Sequence, residues 1–258
     1  MNNQLKTIII TGGLGSIGLC LVNFFYNHDY NVIIIDNKKK SFFLKMNFKK
    51  KINFIKYYKI NLLNPKSIKI NFSYIKKIFK RVDVLINCAG IQHVEKIESF
   101  PEIKWEQIIN INLSSSFYTS KYVLPLMKKN KWGRIINIAS VHGQVASLNK
   151  SAYVASKHGM IGLTKTIALE TALQPITCNA ICPGWVNTPL ISKQILINSK
   201  LNNLSLKKAT KNLLSDKQPN LQFISVKAIA SLAYYLCSED ASEITGSSIN
   251  IDGGWTAQ

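Results

Sequence analysis

Arginine is nearly missing from this chain: 2 of its 33 basic residues are Arg and the other 31 are Lys. Sequence-specific readers of nucleic acid lean on Arg, whose planar fork meets phosphates and guanine edges in pairs. So small a supply argues against a nucleic-acid partner. Acidic residues are also few, 13 in 258, which leaves a formal charge of +20. Between Asp36 and Asp83 there are none, and there 14 Lys and Arg81 supply +15 of the total. The charge therefore belongs to one segment. The Lys residues come with 25 Asn and 36 Ile, all encoded by A/T-rich codons. That pattern reads as compositional drift that leaves a solvated basic face. An anionic membrane surface, an acidic partner or an anionic cofactor are the other readings of such a patch.

Cysteine pairing is lacking too. Cys20, Cys88, Cys178, Cys182 and Cys237 form no C-x-x-C and no metal-like spacing with His, so no metal site is expected. Cys178 and Cys182 lie in one strand-like run, and at ~3.3 Å per residue their Cα atoms sit roughly 13 Å apart, too far to bridge. Reduced thiols point to a cytoplasmic protein. No apolar run approaches the ~20 residues of a membrane span. The first strand-like run starts at Thr7, so no leader peptide is expected.

What the chain does have is apolar matter in a regular alternation. Hydrophobic residues make up 47% and charged residues 18%, enough for a sizeable core and unlike a disordered chain. Strand-like runs fall at residues 7–10, 31–35, 53–60, 82–87, 134–140, 177–182 and 248–251. Several are unbroken Ile/Val blocks, as expected of parallel strands covered on both faces. Helical patterns fall between them at 17–27, 67–80, 101–129, 153–172 and 226–237, the third as one long helix with Pro125 near its end. Seven strands alternating with helices predict an α/β fold, a single doubly wound domain over residues 1–258 with a mostly parallel sheet. Residues 187–223 interrupt the last unit and follow a strand's C-terminal end, where a helical substrate lid belongs.

Thr11-Gly12-Gly13-Leu14-Gly15-Ser16-Ile17-Gly18 joins the first strand to the first helix. Gly13, Gly15 and Gly18 satisfy G-x-G-x-x-G, and Asp36 ends the second strand 18 residues later. Small residues let backbone N–H groups approach a pyrophosphate, and the helix start adds partial positive charge. A carboxylate at position 36 accepts from ribose hydroxyls and repels a 2′-phosphate, which favours NAD over NADP. Lys38, Lys39 and Lys40 work against that preference.

Tyr153 and Lys157 are one helical turn apart and share a face. Ser140 ends the strand before them. A Tyr hydroxyl with pKa near ~10 is a poor base at neutral pH, and lowering it to ~7 takes about 4 kcal/mol of preference for the phenolate. A neighbouring ammonium and a positively charged nicotinamide supply it. By itself, Tyr-x-x-x-Lys is more often a surface pair. It carries weight here because the dinucleotide turn precedes it.

The glycine turn, Asn87-Cys88-Ala89-Gly90, Asn112, Ser140, Tyr153-x-x-x-Lys157 and Pro183-Gly184 together resemble the short-chain dehydrogenase/reductase family over essentially the whole chain. The resemblance implies a Rossmann-type fold, NAD as cofactor and a homotetramer. It implies that Asn87, Ala89 and Gly90 lie by the adenosine, and that Pro183, Gly184, Val186 and Thr188 lie along the nicotinamide. It also implies that Asn112 kinks its helix and holds a water that links Lys157 to solvent. Two departures occur. Ser16 stands where the family's middle turn glycine is expected, and Asn61-Leu62 replaces the usual Asp-Val or Asp-Leu at the adenine amino group.

A closer similarity is to the branch of that family that oxidises D-3-hydroxybutyrate. It rests on residues 90–93, 138–143, 149–153, 181–186, 217–219 and 252–256. It implies that Gln92, His142, Lys150 and Gln194 grip a carboxylate while Trp185 and Trp255 wall the methyl end. Taken singly, such Gln, Lys and Trp residues are ordinary surface or core. The expected partner is a small-molecule substrate. Two rivals stand beside it: an NADPH-dependent 3-oxoacyl-thioester reductase of the same family, and a basic nucleic-acid or membrane-surface binder on the same fold.

Overall fold

A computed structural model describes residues 5–39 and 53–257. Lys40 and the lysines at 49, 50 and 51 lie outside the described residues. The strands are β1 (Thr7–Thr11), β2 (Asn31–Asp36), β3 (Ile55–Lys59), β4 (Val84–Asn87), β5 (Gly133–Ile138), β6 (Ile176–Pro183) and β7 (Ser248–Ile251). They form one sheet in the order β3-β2-β1-β4-β5-β6-β7. All six pairings are parallel, so the sheet is fully rather than mostly parallel. β1, β4, β5 and β6 are buried along their whole length, as unbroken Ile/Val runs require when helices cover both faces.

The helices are α1 (Ser16–Asn27), α2 (Pro65–Ile78), α3 (Glu102–Ile109), α4 (Ser115–Asn130), α5 (Ser151–Glu170), α6 (Pro189–Leu201), α7 (Leu206–Lys217) and α8 (Val226–Tyr235). Alternate residues of each strand feed opposite faces. On one face Ile8, Ile10, Ile34 and Ile86 join Leu21 and Phe25 of α1 and Ile229 and Ala233 of α8. On the other, Ile9, Ile33 and Ile135 join Ile68 and Phe72 of α2 and Val123 and Met127 of α4. Starts are marked by caps: Asn64 accepts from Ser67 N, and Thr188, Ser205 and Ser225 cap α6, α7 and α8.

The long helix expected over 101–129 is broken. Between α3 and α4, Asn110–Ser114 form a π-helical turn. Asn112 sits there, 0% exposed. Its Oδ1 accepts from Ile91 N at 2.9 Å, and its Nδ2 donates to Ile91 O at 3.0 Å and Ser156 Oγ at 3.1 Å. From this widened turn the side chain reaches the loop after β4 and α5 together. π turns of this kind concentrate at functional sites.

Both arginines are engaged in the framework. Arg81 Nε meets Asp83 Oδ1 at 2.6 Å, and Asp83 Oδ2 accepts from Thr7 N at 2.8 Å. Arg134 is 1% exposed, with its guanidinium 4.4 Å from the centroid of the Trp132 ring. Arg134 is thus withdrawn from solution, and Arg81 is paired with Asp83.

Candidate functional site

The strand order reverses between β1 and β4, and a crevice opens at the carboxyl ends of such strands. Here it is a cleft of about 650 Å³ that runs from the glycine turn to Trp255. The loops after β1, β2, β4, β5 and β6 all contribute to it. Of the residues expected at the cofactor and substrate, Thr11, Gly13, Asn87, Asn112, Lys150 and Gln194 do not line it, and the others do.

The turn is held in two ways. Thr11 Oγ1 accepts from Cys88 N at 3.1 Å and Ala89 N at 3.2 Å, tying the ends of β1 and β4 together. Gly12 has φ +64°, and a Cβ there would stand 2.7 Å from Ala89 Cα. A Cβ on Gly18 would stand 2.2 Å from Gly12 O. The start of α1 has Gly15 at its cap, no side-chain cap and no acidic residue in the first turn. Its N–H groups and dipole are left for an anion. Asp36 is buried, and its carboxylate accepts from Leu14 N at 2.9 Å and Lys38 N at 3.1 Å. Lone pairs remain on it for ribose hydroxyls. Lys38 Nζ donates to Leu14 O at 2.6 Å, so this ammonium is anchored to the turn. These features together fit a dinucleotide.

Asn87 and Asn112 are buried anchors behind the cleft, and the kink expected at Asn112 is the π turn described above. Asn87 Nδ2 donates to Asn137 Oδ1 at 2.8 Å, and its Oδ1 accepts from Thr119 Oγ1 at 2.7 Å. Asn137 Nδ2 passes on to Thr164 Oγ1 at 2.8 Å. This buried ladder locks the sheet to α4 and α5 behind the cleft. Asn112 is also an anchor, yet its Oδ1 and Lys157 Nζ both border Gly90, at 3.6 and 3.9 Å from where a Cβ there would lie.

At the cleft floor Ser140 and Tyr153 both line the site, close enough for the Ser140 hydroxyl to act on the Tyr153 pKa. Lys157 Nζ lies 5.6 Å from the centroid of the Tyr153 ring and donates to Ile138 O at 2.8 Å. Burial pushes the Lys157 pKa down to about 8. Burial also pushes Tyr153 above its ordinary value, and the Ser140 hydrogen bond opposes that shift. The sequence argument had the neighbouring ammonium lowering Tyr153. In the free protein burial holds Tyr153 above its ordinary value, and Lys157 donates to a backbone carbonyl.

Above the floor is an aromatic box. His142 stands 5.8 Å from Tyr153 and 5.3 Å from Trp255, and Trp185 and Trp255 are 5.2 Å apart, all between ring centroids. Lys150 is 7% exposed and sits behind the box, its Nζ 4.5 Å from the centre of the Trp185 ring. Burial holds its pKa down to about 8. Gln92 Nε2 is buried in the cleft wall without a hydrogen-bond partner. Such an atom is costly unless a ligand satisfies it. Gln194 lies on α6, partly buried and away from the cleft lining.

Two contributors, Ser147 and Ser156, had no sequence signal strong enough to find them, and Gln218 lay in a segment that carried the resemblance without a role of its own. Ser147, an unremarkable loop serine, has its Oγ 2.9 Å from His142 Nε2. Ser156 braces Asn112. Gln218 is fully buried; its Oε1 accepts from Trp185 N at 2.8 Å, and its Nε2 donates to Gln222 O. The Asp252 carboxylate accepts from Gly254 N and Thr256 N at 3.1 and 2.9 Å, which fixes the turn carrying Trp255.

Residues 6–196 match the model of a family described as short chain dehydrogenase. Over 198 residues, 77% of either chain, the sequence is 50% identical to a D-beta-hydroxybutyrate dehydrogenase of Rhizobium meliloti. Over 255 residues, 98% of either chain, it is 42% identical to a D-beta-hydroxybutyrate dehydrogenase of Cupriavidus necator. Among solved structures, a 4-hydroxyisoleucine dehydrogenase complexed with NADH superimposes with a TM-score of 0.87 at 32% identity, covering 98% of this chain and 99% of the other.

Proposed function

The chain belongs to the short-chain dehydrogenase family, and from that premise we propose that it oxidises D-3-hydroxybutyrate reversibly to acetoacetate with NAD. The observation that carries the reading is the convergence of Ser140, Tyr153 and Lys157 beneath a box closed by Trp185 and Trp255. A box of that kind suits a short acid rather than a long acyl chain. When bound, NAD supplies the acceptor for the hydride leaving C3.

Ser140 holds the substrate oxygen beside Tyr153. Tyr153 takes the hydroxyl proton as C3 becomes a carbonyl carbon. Lys157, held at Ile138 O, keeps positive charge near the phenolate that starts the step and discharges it once Tyr153 is protonated. Gly12, Gly15, Ser16, Ile17 and Gly18 cradle the pyrophosphate, Asp36 the ribose, and Asn61 and Leu62 the adenine. Ala89 and Gly90 border the adenosine side, and Pro183, Gly184, Val186 and Thr188 the nicotinamide. Thr11, Gly13 and Asn87 act one layer back, by holding the turn and the strand ends. Asn112 positions the loop at Ile91.

The carboxylate is assigned to Gln92, whose amide N–H awaits a partner, and His142, both in the cleft lining, with Lys150 supplying charge from behind the Trp185 ring. Gln194 would join them only if α6 moves inward. Residues 187–223 are assigned as the lid, since Ile191, Ile195, Ala209 and Leu214 pack with Trp185 and Trp255 into a cluster of their own. Closure over it would exclude water. We place the enzyme in the cytoplasm as a homotetramer. Exposed Trp105, Phe117 and Leu169 on α3, α4 and α5 support the assembly, and among the described residues no helix is long and apolar enough to cross a membrane.

The deciding experiment is a steady-state assay with D-3-hydroxybutyrate and NAD set against acetoacetyl-CoA and NADPH. Turnover dominated by the first pair is expected. Preference for the thioester and NADPH would replace this reading with the reductase.

A further inference from the structure

Gln218 follows α7 and is 0% exposed, an uncommon place for an amide side chain. Both ends of that amide are spent on backbone. Oε1 accepts from Trp185 N at 2.8 Å, and Nε2 donates to Gln222 O. One partner can only donate and the other only accept, so the amide has a single orientation. A Cβ on Gly184 would stand 2.6 Å from Oε1, so the loop after β6 carries no side chain where the amide enters. Residue 185 is held on its other side as well: Ile224 N donates to Trp185 O at 2.7 Å, and Val186 bridges to Ile224. The same segment, 218–224, reaches the second tryptophan. Asn220 N donates to Gly253 O at 3.2 Å. A Cβ on Gly253 would stand 2.4 Å from Asn220 Oδ1, and one on Gly254 3.5 Å from Pro219 Cγ. Within the segment Leu221 takes φ +54° and its N–H donates to Gln218 O at 2.9 Å. A left-handed Leu is strained, and such a conformation persists only where its surroundings impose it.

We propose that Gln218 is a positioning residue that sets substrate length. As the pivot of residues 218–224 it fixes Trp185 and Trp255 against each other, and so decides how long a hydroxy acid the box takes. The two rings stand 5.2 Å apart at their centroids and come from the loops after β6 and β7. Those neighbouring strands fix where the two loops begin, but not where their tips lie. Gln218 ties down one tip, and the backbone of Asn220 ties down the other. Without the amide, Trp185 N and Gln222 O lose their buried partner, and such groups move toward water. The Trp185 wall then relaxes, and the room gained lies at the wall assigned to the methyl end. Ser140, Tyr153 and Lys157 stand after β5 and on α5, outside this clamp, so the chemical step is spared.

The proposal rests on the reading that Trp185 and Trp255 bound the substrate. It is tested by steady-state kinetics with D-3-hydroxybutyrate and D-3-hydroxypentanoate, one methylene longer. Gln218→Met keeps length and bulk and removes both hydrogen bonds. It should raise KM for D-3-hydroxybutyrate roughly tenfold, with kcat and the Kd for NAD within about threefold. The ratio of kcat/KM for the longer acid over the shorter should rise roughly tenfold, the scale on which one methylene is discriminated. Asn220→Ala loosens the same segment from its exposed side, by removing the Oδ1 that accepts from Gln222 N at 3.1 Å. It should move the ratio the same way by about threefold, and it answers the question if Gln218→Met does not fold. An unchanged ratio in the folded variants, whatever happens to KM, kcat or Tm, overturns the proposal. Should the wild type oxidise neither acid, the substrate reading fails by itself. The clamp is then judged by acrylamide quenching in enzyme carrying Trp105→Phe and Trp132→Phe, so that of its 4 Trp only Trp185 and Trp255 emit. Greater quenching on adding Gln218→Met supports the clamp, and equal quenching overturns it.

Discussion

At Lys150 burial and binding compete. An ammonium held to a pKa of about 8 is charged below that pH and largely neutral above it. If it grips the carboxylate, KM for 3-hydroxybutyrate should stay flat up to about pH 8 and climb beyond it. Lys150→Ala should raise KM roughly tenfold or more, flatten that rise and leave the Kd for NAD unchanged. An unaltered KM would remove Lys150 from the site. Lys157 titrates in the same range, but its loss falls on kcat, so the two are separable. Tyr153→Phe removes the one hydroxyl that takes the proton, and turnover should vanish while NAD still binds. Gly18→Ala places a methyl 2.2 Å from Gly12 O and 2.8 Å from Gly13 Cα. The turn must shift, so NAD affinity should fall at least tenfold and stability by about 1–3 kcal/mol, read by calorimetry with and without cofactor.

Among the elements, the π turn at Asn110–Ser114 couples packing to chemistry. Asn112→Ala would leave Ile91 N and O without their partner. A drop in Tm of several degrees is expected, from ~1–3 kcal/mol for the orphaned groups, together with a lower kcat as the loop bordering the cleft loosens. An unchanged Tm would mean the segment is held elsewhere. This turn also marks where reading the sequence stops working. The strands, the glycine turn and the Tyr153/Lys157 spacing were legible because each is a local pattern with a fixed period. The break at Asn112 came only from the family resemblance, since the apolar rhythm of residues 101–129 runs through it and its side chain bonds to Ile91, 21 residues away. Gln218 and Ser147 were hidden for the same reason: their partners, Trp185 and His142, are set by the fold. Asn87 had the opposite fate. Its motif was plain, but its side chain serves Thr119 and Asn137.

For the whole molecule the charge is the conspicuous quantity, and the fold shows where it goes. Lys66, Lys69 and Lys77 are exposed on α2, and none of them lines the cleft that holds Tyr153. Replacing all three by Gln should leave kcat/KM within twofold and change only salt-dependent adhesion to polyanions, which at 0.15 M salt is screened beyond about 8 Å. A loss of activity would mean that the face takes part in the reaction. The parallel sheet has a further consequence, in time rather than in space. Among the described residues no two strands form a hairpin, and β1 finds β4 across more than seventy residues, with Thr11 closing on Cys88 and Ala89. Pairings so distant in sequence form slowly. A nascent chain still lacking β4 has its glycine turn but no opposite wall to the cleft. A cofactor that needs both walls of the cleft then stabilises the closed sheet by mass action.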